Sequence, residues 1–313
     1  MIEVARFPDD VRPPRWPHPV LALGNFDGLH RGHVKIIDRV RRGAAERGGT
    51  PLVLTFEPHP PRVVRPDKAP PLLMTAGQKL EALERAGIQG VAVVRFTPEL
   101  SRWSPEEFVR RVLVDWLHVS EVWVGADFLF GRDRSGNFSV LRALGAELGF
   151  RAEKIDPIRY KDFVVSSTRI RRLVSEGRVD EAGALLGRQV FIDGTVVEGA
   201  RRGRELGFPT ANLETENELV PPPGVYATMA TVDGIVYPSV TNIGVRPTFE
   251  TDGRQRIEAH LLGVDQDLYG RLMRLAFVQR LRDERRFPDV DALREQIAAD
   301  VRRAGRLFDR LSI

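Results

Sequence analysis

Two histidines three residues apart stand at the predicted start of a helix. The apolar segment Val20–Leu23 runs into Gly24-Asn25-Phe26-Asp27-Gly28-Leu29-His30-Arg31-Gly32-His33, and an amphipathic helix is predicted from residue 32 to about residue 46. A helix N-terminus presents backbone N–H groups and the positive end of the helix dipole, which favours bound anions. The glycines of this segment let a phosphate approach the backbone closely. His30 and His33 can then donate hydrogen bonds to a polyphosphate and to charge that develops on it.

A metal site and a pair of surface histidines are the alternative interpretations of His30 and His33. A zinc site needs further ligands, but the other four histidines are scattered along the sequence, at positions 18, 59, 118 and 260. The chain has no cysteine, which excludes a thiolate metal site and a cysteine nucleophile. The pattern therefore favours phosphate binding by the two histidines.

A second phosphate-binding pattern lies in Ser166-Ser167-Thr168-Arg169-Ile170-Arg171, before a predicted helix. Hydroxyl and backbone N–H groups donate to a triphosphate, and guanidinium groups neutralise its charge. We favour Ser167, Thr168 and Arg171 as functional, whereas Arg169 and Arg172 fit a solvent-exposed role equally well. No lysine lies in this segment, so arginine and hydroxyl groups must carry the phosphate chemistry there.

The second half of the chain holds a separate group of polar residues. Thr210 and Asn212 are two residues apart, so on an extended segment their oxygens point to one side, and neutral oxygens suit Mg²⁺. Gly203 and Arg204 belong to a glycine-bracketed basic loop that suits a nucleotide phosphate. Glu258 shares one face of a predicted strand with His260, which we interpret as a packed or hydrogen-bonded residue. From the residues alone, Glu258 is equally well a general base or an ordinary solvent-facing glutamate.

The elements of the first half must place these residues at one edge of a sheet. Short apolar strands alternate with helices, which predicts a parallel sheet covered on both faces, with ligands at the carboxyl ends of its strands. The predicted strands are Val20–Leu23, 52–56, 91–96, Glu121–Gly125 and 152–155, and the predicted helices, besides the first, are 75–86, 104–117 and 140–148.

Near residue 187 the alternation of strands and helices gives way to a series of predicted strands. The predicted strands are 189–198, 225–231, 235–241, 256–262 and 271–280, and Asp233-Gly234 predicts a hairpin turn between the second and third of them. We expect an antiparallel β-barrel closed by one helix, which Asp289 caps. An apolar stripe faces the core from that helix: Leu293, Ile297, Val301, Ala304, Phe308 and Leu311. The predicted domains are therefore 1–186 and 187–313.

Composition limits the classes of protein that remain. With 42% hydrophobic residues among 313, the chain can form packed cores. We find no run of about 18 apolar residues and no basic-then-apolar leader, so we expect a cytoplasmic protein without a membrane partner. The 47 Lys and Arg residues include only five lysines and are interspersed with 43 acidic residues, which does not favour a nucleic-acid partner. No Walker motif occurs, which excludes a P-loop kinase.

The first group of motifs resembles the nucleotidyltransferase superfamily that activates small molecules with ATP or CTP. Its longer form, Gly-x-Phe-Asp-Gly-x-His-x-Gly-His, is similar to the FMN adenylyltransferase module of bacterial bifunctional FAD synthetases. The segments 55–60, 124–131 and 166–171 resemble motifs of that family, in the family's order. The resemblance implies a Rossmann-like α/β domain. It implies ATP contacts by Gly24, Asn25, Phe26, Ser167, Thr168 and Arg171, and flavin contacts by Asp127, Phe128 and Phe130. The two phenylalanines also fit core positions, and His59 fits a loop-shaping role as well as a functional one.

The second group resembles bacterial riboflavin kinase. Gly-Arg-x-x-Gly-Phe-Pro-Thr-Ala-Asn is followed in order by Pro-Gly-Val-Tyr, Gly-x-Arg-Pro-Thr-Phe, Glu-Ala-His and Leu-Tyr-Gly. The resemblance implies that Glu258 is the general base for the ribityl 5′-hydroxyl. It also implies that Gly203 and Arg204 contact ATP and that Thr210 and Asn212 bind Mg²⁺.

Together the two resemblances imply one bifunctional enzyme that makes FMN from riboflavin and then FAD from FMN, with ATP as co-substrate and Mg²⁺ as cofactor. Its partners would be small molecules, and the sequence leaves a monomer and a weak homo-oligomer equally open. Three alternatives remain: a nucleotidyltransferase for a nicotinamide or pantetheine phosphate, a tRNA-charging enzyme, and a flavin- or nucleic-acid-binding regulator without catalysis. The short chain and the missing lysine-rich second signature count against the tRNA-charging enzyme.

Overall fold

The chain forms two compact units, Met1–Ser167 and Thr168–Ile313. The structure is a computed structural model that describes residues 2–199, 203, 206–245, 255–264 and 266–311. The predicted boundary after residue 186 lies two helices further along the chain than this division and stays a prediction. Among the described residues, no helix is both long enough and apolar enough to cross a membrane.

The first unit is built on a six-stranded parallel sheet, as the sequence predicts. The strand order is β1-β4-β3-β2-β5-β6, so β2 lies near the middle, between β3 and β5. The strands are β1 (Glu3–Phe7), β2 (Val20–Leu23), β3 (Pro51–Glu57), β4 (Gly90–Arg95), β5 (Glu121–Gly125) and β6 (Arg151–Ile155). The sequence analysis assigns no strand to β1, because this edge strand carries polar residues and lacks the continuous apolar pattern of the buried strands.

Two helices of the first unit begin where their capping residues predict, whereas the predicted helix from residue 140 begins two residues earlier, at Phe138, and the short helix Pro60–Val64 was not predicted. The helices of this unit are α1 (Arg31–Arg47), α2 (Pro60–Val64), α3 (Ala76–Arg85), α4 (Pro105–Phe108) and α5 (Phe138–Leu148), with short 3₁₀ turns at Pro66–Lys68, Leu100–Arg102 and Arg132–Arg134. Thr75 and Ser104 form capping boxes with Gln78 and Glu107 at the starts of α3 and α4. After α4 the chain continues to Trp116 as a π-helix, a form that the apolar spacing does not reveal. A small hairpin, β7 (Arg159–Tyr160) and β8 (Phe163–Val164), lies near the end of the unit.

The second unit is a closed antiparallel barrel, which confirms the predicted fold class. Its strand order is β10-β13-β12-β11-β14-β9. The strands are β9 (Val190–Val197), β10 (Ala211–Thr215), β11 (Gly224–Val232), β12 (Ile235–Val245), β13 (Gln255–Leu261) and β14 (Leu272–Arg282), and the helices are α6 (Ser167–Ser175), α7 (Val179–Leu186) and α8 (Val290–Leu311). Asp233 and Gly234 adopt positive φ angles of 49° and 81°, the turn geometry that an Asp-Gly pair favours between two strands.

The final helix packs its apolar stripe on the outside of the barrel. Asp289 caps it as predicted, because its carboxylate accepts the Ala292 N–H at 2.8 Å. Ala304 and Phe308 of the predicted stripe are buried, whereas Leu311 at the end of the helix is 50% exposed. The stripe is therefore core-facing over most of the helix but not at its last predicted position.

A buried ion pair, which the apolar pattern does not predict, also joins this helix to the barrel. Asp300 is 4% exposed and accepts the Nε–H of Arg282 at 2.9 Å and a hydrogen bond from the Gln296 amide at 2.8 Å. Removing one partner of a buried pair leaves an uncompensated charge. We expect Asp300→Ala to lower the free energy of unfolding by about 3–5 kcal/mol, measured by urea titration with circular dichroism. In the control Arg271→Ala, which removes an exposed pair with Asp233, the loss should stay below about 1 kcal/mol. Equal losses in the two variants would contradict the prediction.

Candidate active sites

The first candidate site is the loop that joins β2 to α1. The Gly24 N–H donates to the Leu54 carbonyl oxygen of β3 at 3.1 Å, which anchors the start of the loop to the sheet. Phe26, Gly28 and Leu29 have positive φ angles of 49°, 84° and 39°. Such a backbone costs roughly 1–3 kcal/mol at each non-glycine residue and persists only where the surroundings hold it. The loop is therefore held in one strained shape at the carboxyl edge of the sheet, where parallel sheets bind ligands.

The two histidines meet at the N-terminus of α1, as their spacing predicts. The Nδ1 atom of His30, the N-cap residue, accepts the His33 N–H at 3.3 Å. The imidazole rings stack with 3.6 Å between centroids and 14° between planes, and Phe26 lies against His33 at 5.0 Å. Two imidazoles thus lie side by side at the positive end of a helix of 17 residues.

The predicted phosphate-binding segment reaches this loop through Ser167. The Ser167 hydroxyl donates to the main-chain oxygen of Asp27 at 2.9 Å. Asp27 is 2% exposed, and its two carboxylate oxygens accept the Leu73 N–H at 3.0 Å each. Thr168 and Arg171 follow on α6, where the Thr168 side chain is exposed and Arg171 is half-buried. The structure therefore brings Gly24, Asn25, Phe26, His30, His33 and Ser167 together in the first unit.

One further residue of this site, Lys79, has no place in the sequence motifs. Its Nζ atom donates to the Thr55 hydroxyl at 3.4 Å, and that hydroxyl donates to the Asn25 carbonyl oxygen at 3.1 Å. Burial lowers the pKa of Lys79, while the nearby charges of Asp27 and Glu57 act in the opposite direction. The sequence analysis does not single out Lys79. The one signal that could have found it is that lysine is rare in this arginine-rich chain, which has only five.

The predicted flavin residues follow the carboxyl end of β5, the strand next to β2. Asp127 is exposed, and Phe128 stacks on Phe130 with 5.2 Å between ring centroids. Phe130 is 8% exposed and packs at 5.9 Å against Phe108 in the core of the unit. Phe130 is therefore a core residue, which is the alternative to flavin contact that the sequence analysis left open. Flavin contact by these three residues stays a prediction. His59 is the N-cap residue of α2, without a side-chain capping hydrogen bond.

The second candidate site is a row of polar residues across three strands of the barrel. Glu258 on β13 lies directly opposite Asn212 on β10 and Asn242 on β12. Directly opposite residues of antiparallel strands place their side chains on the same face. The neighbours of Glu258 along the strand, Ile257 and Ala259, are buried at 3% and 0% exposure, so the row faces the outside of the barrel.

Glu258 is oriented by a neighbour on its own strand. The Arg256 Nη2 atom lies 2.6 Å from Glu258 Oε1, and the Glu258 side chain keeps 20% of its surface exposed. His260, on the same face, donates from Nδ1 to the Pro209 carbonyl oxygen at 2.8 Å. This bond agrees with the hydrogen-bonded role predicted for His260. It also ties β13 to the residue that precedes Thr210. The glutamate is thus accessible and held in one orientation.

The predicted metal pair and Gly203 of the predicted nucleotide loop lie beside this row. Thr210 immediately precedes β10, and Asn212 is the second residue of that strand. Gly203 packs close to Thr210, whereas Arg204 lies outside the described residues. No cluster of three or more His, Asp or Glu side chains that could hold a metal ion occurs in the described part of the chain. Thr210 and Asn212 offer a hydroxyl and an amide oxygen, a donor set that fits the hard cation Mg²⁺ when a nucleotide supplies further oxygens.

Gly199 makes room for the Asn212 side chain, which leads to a prediction. A Cβ atom at position 199 would overlap the Asn212 carboxamide, with 2.7 Å to Oδ1 and 2.5 Å to Cγ. We expect Gly199→Ala to displace Asn212 and to lower the rate of FMN formation, the reaction that the riboflavin kinase resemblance implies for this half, about 10- to 100-fold, because small misplacements of positioning groups have effects of that size. Gly305→Ala in α8 is the control, since a Cβ atom there meets nothing within 4 Å. Unchanged FMN formation in Gly199→Ala would show that the position of Asn212 is unimportant.

Two family models match consecutive parts of the chain and define its class. Residues 13–169 match FAD synthetase, and residues 186–308 match riboflavin kinase. A relative from Pseudomonas fluorescens named bifunctional riboflavin kinase/FMN adenylyltransferase is 42% identical over 282 residues, which cover 90% of each chain. The relative of the same name from Bacillus subtilis is 37% identical over 298 residues, which cover 93% of each chain. The chain belongs to the bifunctional riboflavin kinase/FMN adenylyltransferase family.

A solved structure supports the fold over nearly the whole chain. A crystal structure described as a macrolide-efflux protein from Streptococcus pneumoniae has a TM-score of 0.87 and 28% identity, with 96% of this chain and 98% of that chain covered. Its description differs from the names of the more similar curated relatives, and the likeness shows a shared fold.

Proposed function

We propose that this chain makes FAD from riboflavin in two ATP-dependent steps, one in each half. The barrel phosphorylates riboflavin to FMN with release of ADP. The parallel-sheet unit then transfers the adenylyl group of a second ATP to FMN and releases pyrophosphate. The observation that carries the proposal is the match of both halves, in this order, to the FAD synthetase and riboflavin kinase families. Small molecules are the partners that these activities require.

Adenylyl transfer needs positioning and charge stabilisation more than covalent chemistry. The FMN phosphate attacks the α-phosphorus of ATP, and pyrophosphate leaves from the opposite side. Backbone N–H groups of the strained loop and the imidazoles of His30 and His33 donate hydrogen bonds to the phosphate oxygens as charge shifts toward the leaving group. Ser167 supports the loop through the bond from its hydroxyl to the Asp27 main-chain oxygen. Contact of Thr168 and Arg171 with ATP stays a prediction from the sequence, which offers a hydroxyl and a guanidinium group there.

Phosphoryl transfer in the barrel needs a base for the riboflavin hydroxyl. Glu258 takes the proton of the ribityl 5′-hydroxyl while that oxygen attacks the γ-phosphorus of ATP, and ADP leaves. Arg256 orients the carboxylate through their 2.6 Å contact. Thr210 and Asn212 would hold Mg²⁺, which neutralises phosphate charge when it is bound. Gly203 and Arg204 belong to the proposed nucleotide loop, which precedes Thr210 and Asn212 in the sequence.

Incubation of the purified protein with riboflavin, ATP and Mg²⁺ tests the proposal directly. Chromatography of the products should show FMN first and FAD afterwards, with ADP and pyrophosphate released. The absence of both flavin nucleotides would refute the proposal. Consumption of ATP with a nicotinamide or pantetheine phosphate in place of FMN would indicate the alternative acceptor. Binding of flavin without consumption of ATP would indicate a regulator.

A further inference from the structure

Lys79 on α3 is connected to the adenylyltransferase loop by a hydrogen-bond relay. Its Nζ atom donates to Thr55 Oγ1 at 3.4 Å, and Thr55 Oγ1 donates to the main-chain oxygen of Asn25 at 3.1 Å. Thr55 is 4% exposed on β3, next to β2 in the sheet, so the middle of the relay is shielded from water. The relay therefore runs from a half-buried cation to the backbone of the loop that carries the two histidines.

Two opposing effects act on the protonation of Lys79. Burial favours the neutral amine, whereas nearby negative charges favour the ammonium group. Burial lowers its pKa, and the charged groups that oppose this are Asp27 in the loop and Glu57 at the end of β3. Asp27 is itself 2% exposed and accepts the Leu73 N–H, so it is held in place. A desolvated ammonium group at this edge of the sheet costs free energy, and a polyphosphate bound nearby would offset that cost.

The loop needs such support because its backbone is strained. Phe26 and Leu29 have positive φ angles on either side of Gly28. The shape of the segment is held at one end by the Gly24 N–H to Leu54 bond, and in its middle by Asp27 with Leu73 and with Ser167. The relay adds a contact to the Asn25 carbonyl, between these two regions. Loss of the relay would leave the peptide after Asn25 without its hydrogen bond from Thr55.

We propose that Lys79 is a positioning residue of the adenylyltransferase site, which acts through Thr55 to hold the loop backbone at Asn25. The inference rests on the proposed assignment of adenylyl transfer to this unit. It brings a lysine to this site, a residue type that the arginine-containing segment around Ser167 lacks. Lys79 holds the loop in the shape that places its N–H groups and the histidines around the phosphates of ATP.

A double-mutant cycle tests the relay. Lys79→Met removes the charge at nearly constant length, and Thr55→Val removes the hydroxyl at nearly constant shape. We expect each single variant to lower kcat for FAD formation from FMN about 10- to 100-fold, because misplacement of a site by about 1 Å has effects of that size. The double variant should lose no more than the more affected single variant, because both changes break one relay. Lys79→Arg should retain more activity than Lys79→Gln, since it keeps the charge.

The controls separate this inference from the proposed function. Lys68→Met makes the same substitution at an exposed lysine and should leave FAD formation unchanged. Circular dichroism of every variant is the control for folding, and riboflavin kinase activity in the other unit should stay unchanged. If the unmodified protein makes no FAD, the proposed function fails; if it makes FAD and Lys79→Met does so at the same kcat, the inference fails. Additive losses in the double variant would also overturn it. If Lys79→Met does not fold, the comparison of Lys79→Arg with Lys79→Gln tests the inference instead. Equal rates of FAD formation in these two variants would overturn it.

Discussion

Glu258→Gln is expected to stop FMN formation while leaving the conversion of FMN to FAD intact. Gln keeps the size and a hydrogen-bonding oxygen of the side chain but cannot accept the proton of the ribityl hydroxyl. A positioned general base contributes about 10²- to 10⁴-fold, so FMN formation should fall by that factor. The side chain is accessible on the outer face of the barrel and oriented by Arg256, which suits a base that must reach a bound substrate. Separate assays with riboflavin and with FMN as substrates measure the two steps.

The control for Glu258 is a glutamate that lies in the same unit but away from the polar row. Glu181 is exposed on α7 and pairs with Arg178 at the surface. Glu181→Gln should leave both reactions unchanged. Two results would contradict the role of Glu258: FMN formation within a few-fold of the unmodified protein, or loss of both reactions in a folded variant. The second result would mean that the barrel and the sheet do not work as separate catalytic modules.

Substitution of His30 or His33 is expected to have the opposite effect: FAD formation should be lost while FMN formation is kept. His33→Ala removes a donor at the helix N-terminus and should lower FAD formation about 10²- to 10³-fold, the effect of losing one donor of an oxyanion site. His30 also caps α1, so alanine there would confound loss of the donor with loss of about 1 kcal/mol of helix stability. His30→Asn retains a capping side chain and removes the imidazole. It should therefore stop FAD formation without unfolding the helix.

FMN formation from riboflavin should persist in both histidine variants. His118→Asn is the matched control, because His118 is exposed and its positive φ of 52° is one that asparagine adopts readily. It should leave both reactions unchanged. FAD formation at the normal rate in His33→Ala, or an equal loss of FMN formation, would contradict the assignment. The opposite selectivities of the Glu258 and histidine variants together test whether each half carries its own reaction.

Local pattern was sufficient for most of the secondary structure. The apolar strands β2 and β5 have the predicted bounds, because continuous burial on both faces leaves a continuous apolar run in the sequence. The capping residues Thr75, Ser104 and Asp289 start their helices as predicted, because a cap acts within one turn. The polar edge strand β1 and the π-helix after α4 were missed, because neither leaves a distinctive periodicity.

The histidine pair of α1 could also be placed from sequence alone. Its spacing, the preceding strand and the following helix are all local, and the structure brings the two rings to 3.6 Å. The identity of the two families likewise follows from motifs in order along the chain. What the motifs could not show was which distant residues support each site.

Proximity across the chain required the tertiary structure. Lys79 reaches the loop only because α3 and β3 bring residues 25, 55 and 79 together, and none of these separations has a period that a sequence pattern reveals. The row Asn212–Glu258–Asn242 depends on strand register, and a shift of one residue would turn Glu258 into the barrel. The sequence thus determined the chemistry that the chain carries, because short motifs encode it. Folding determined which side chains surround that chemistry, because register and packing depend on contacts between segments far apart in the sequence.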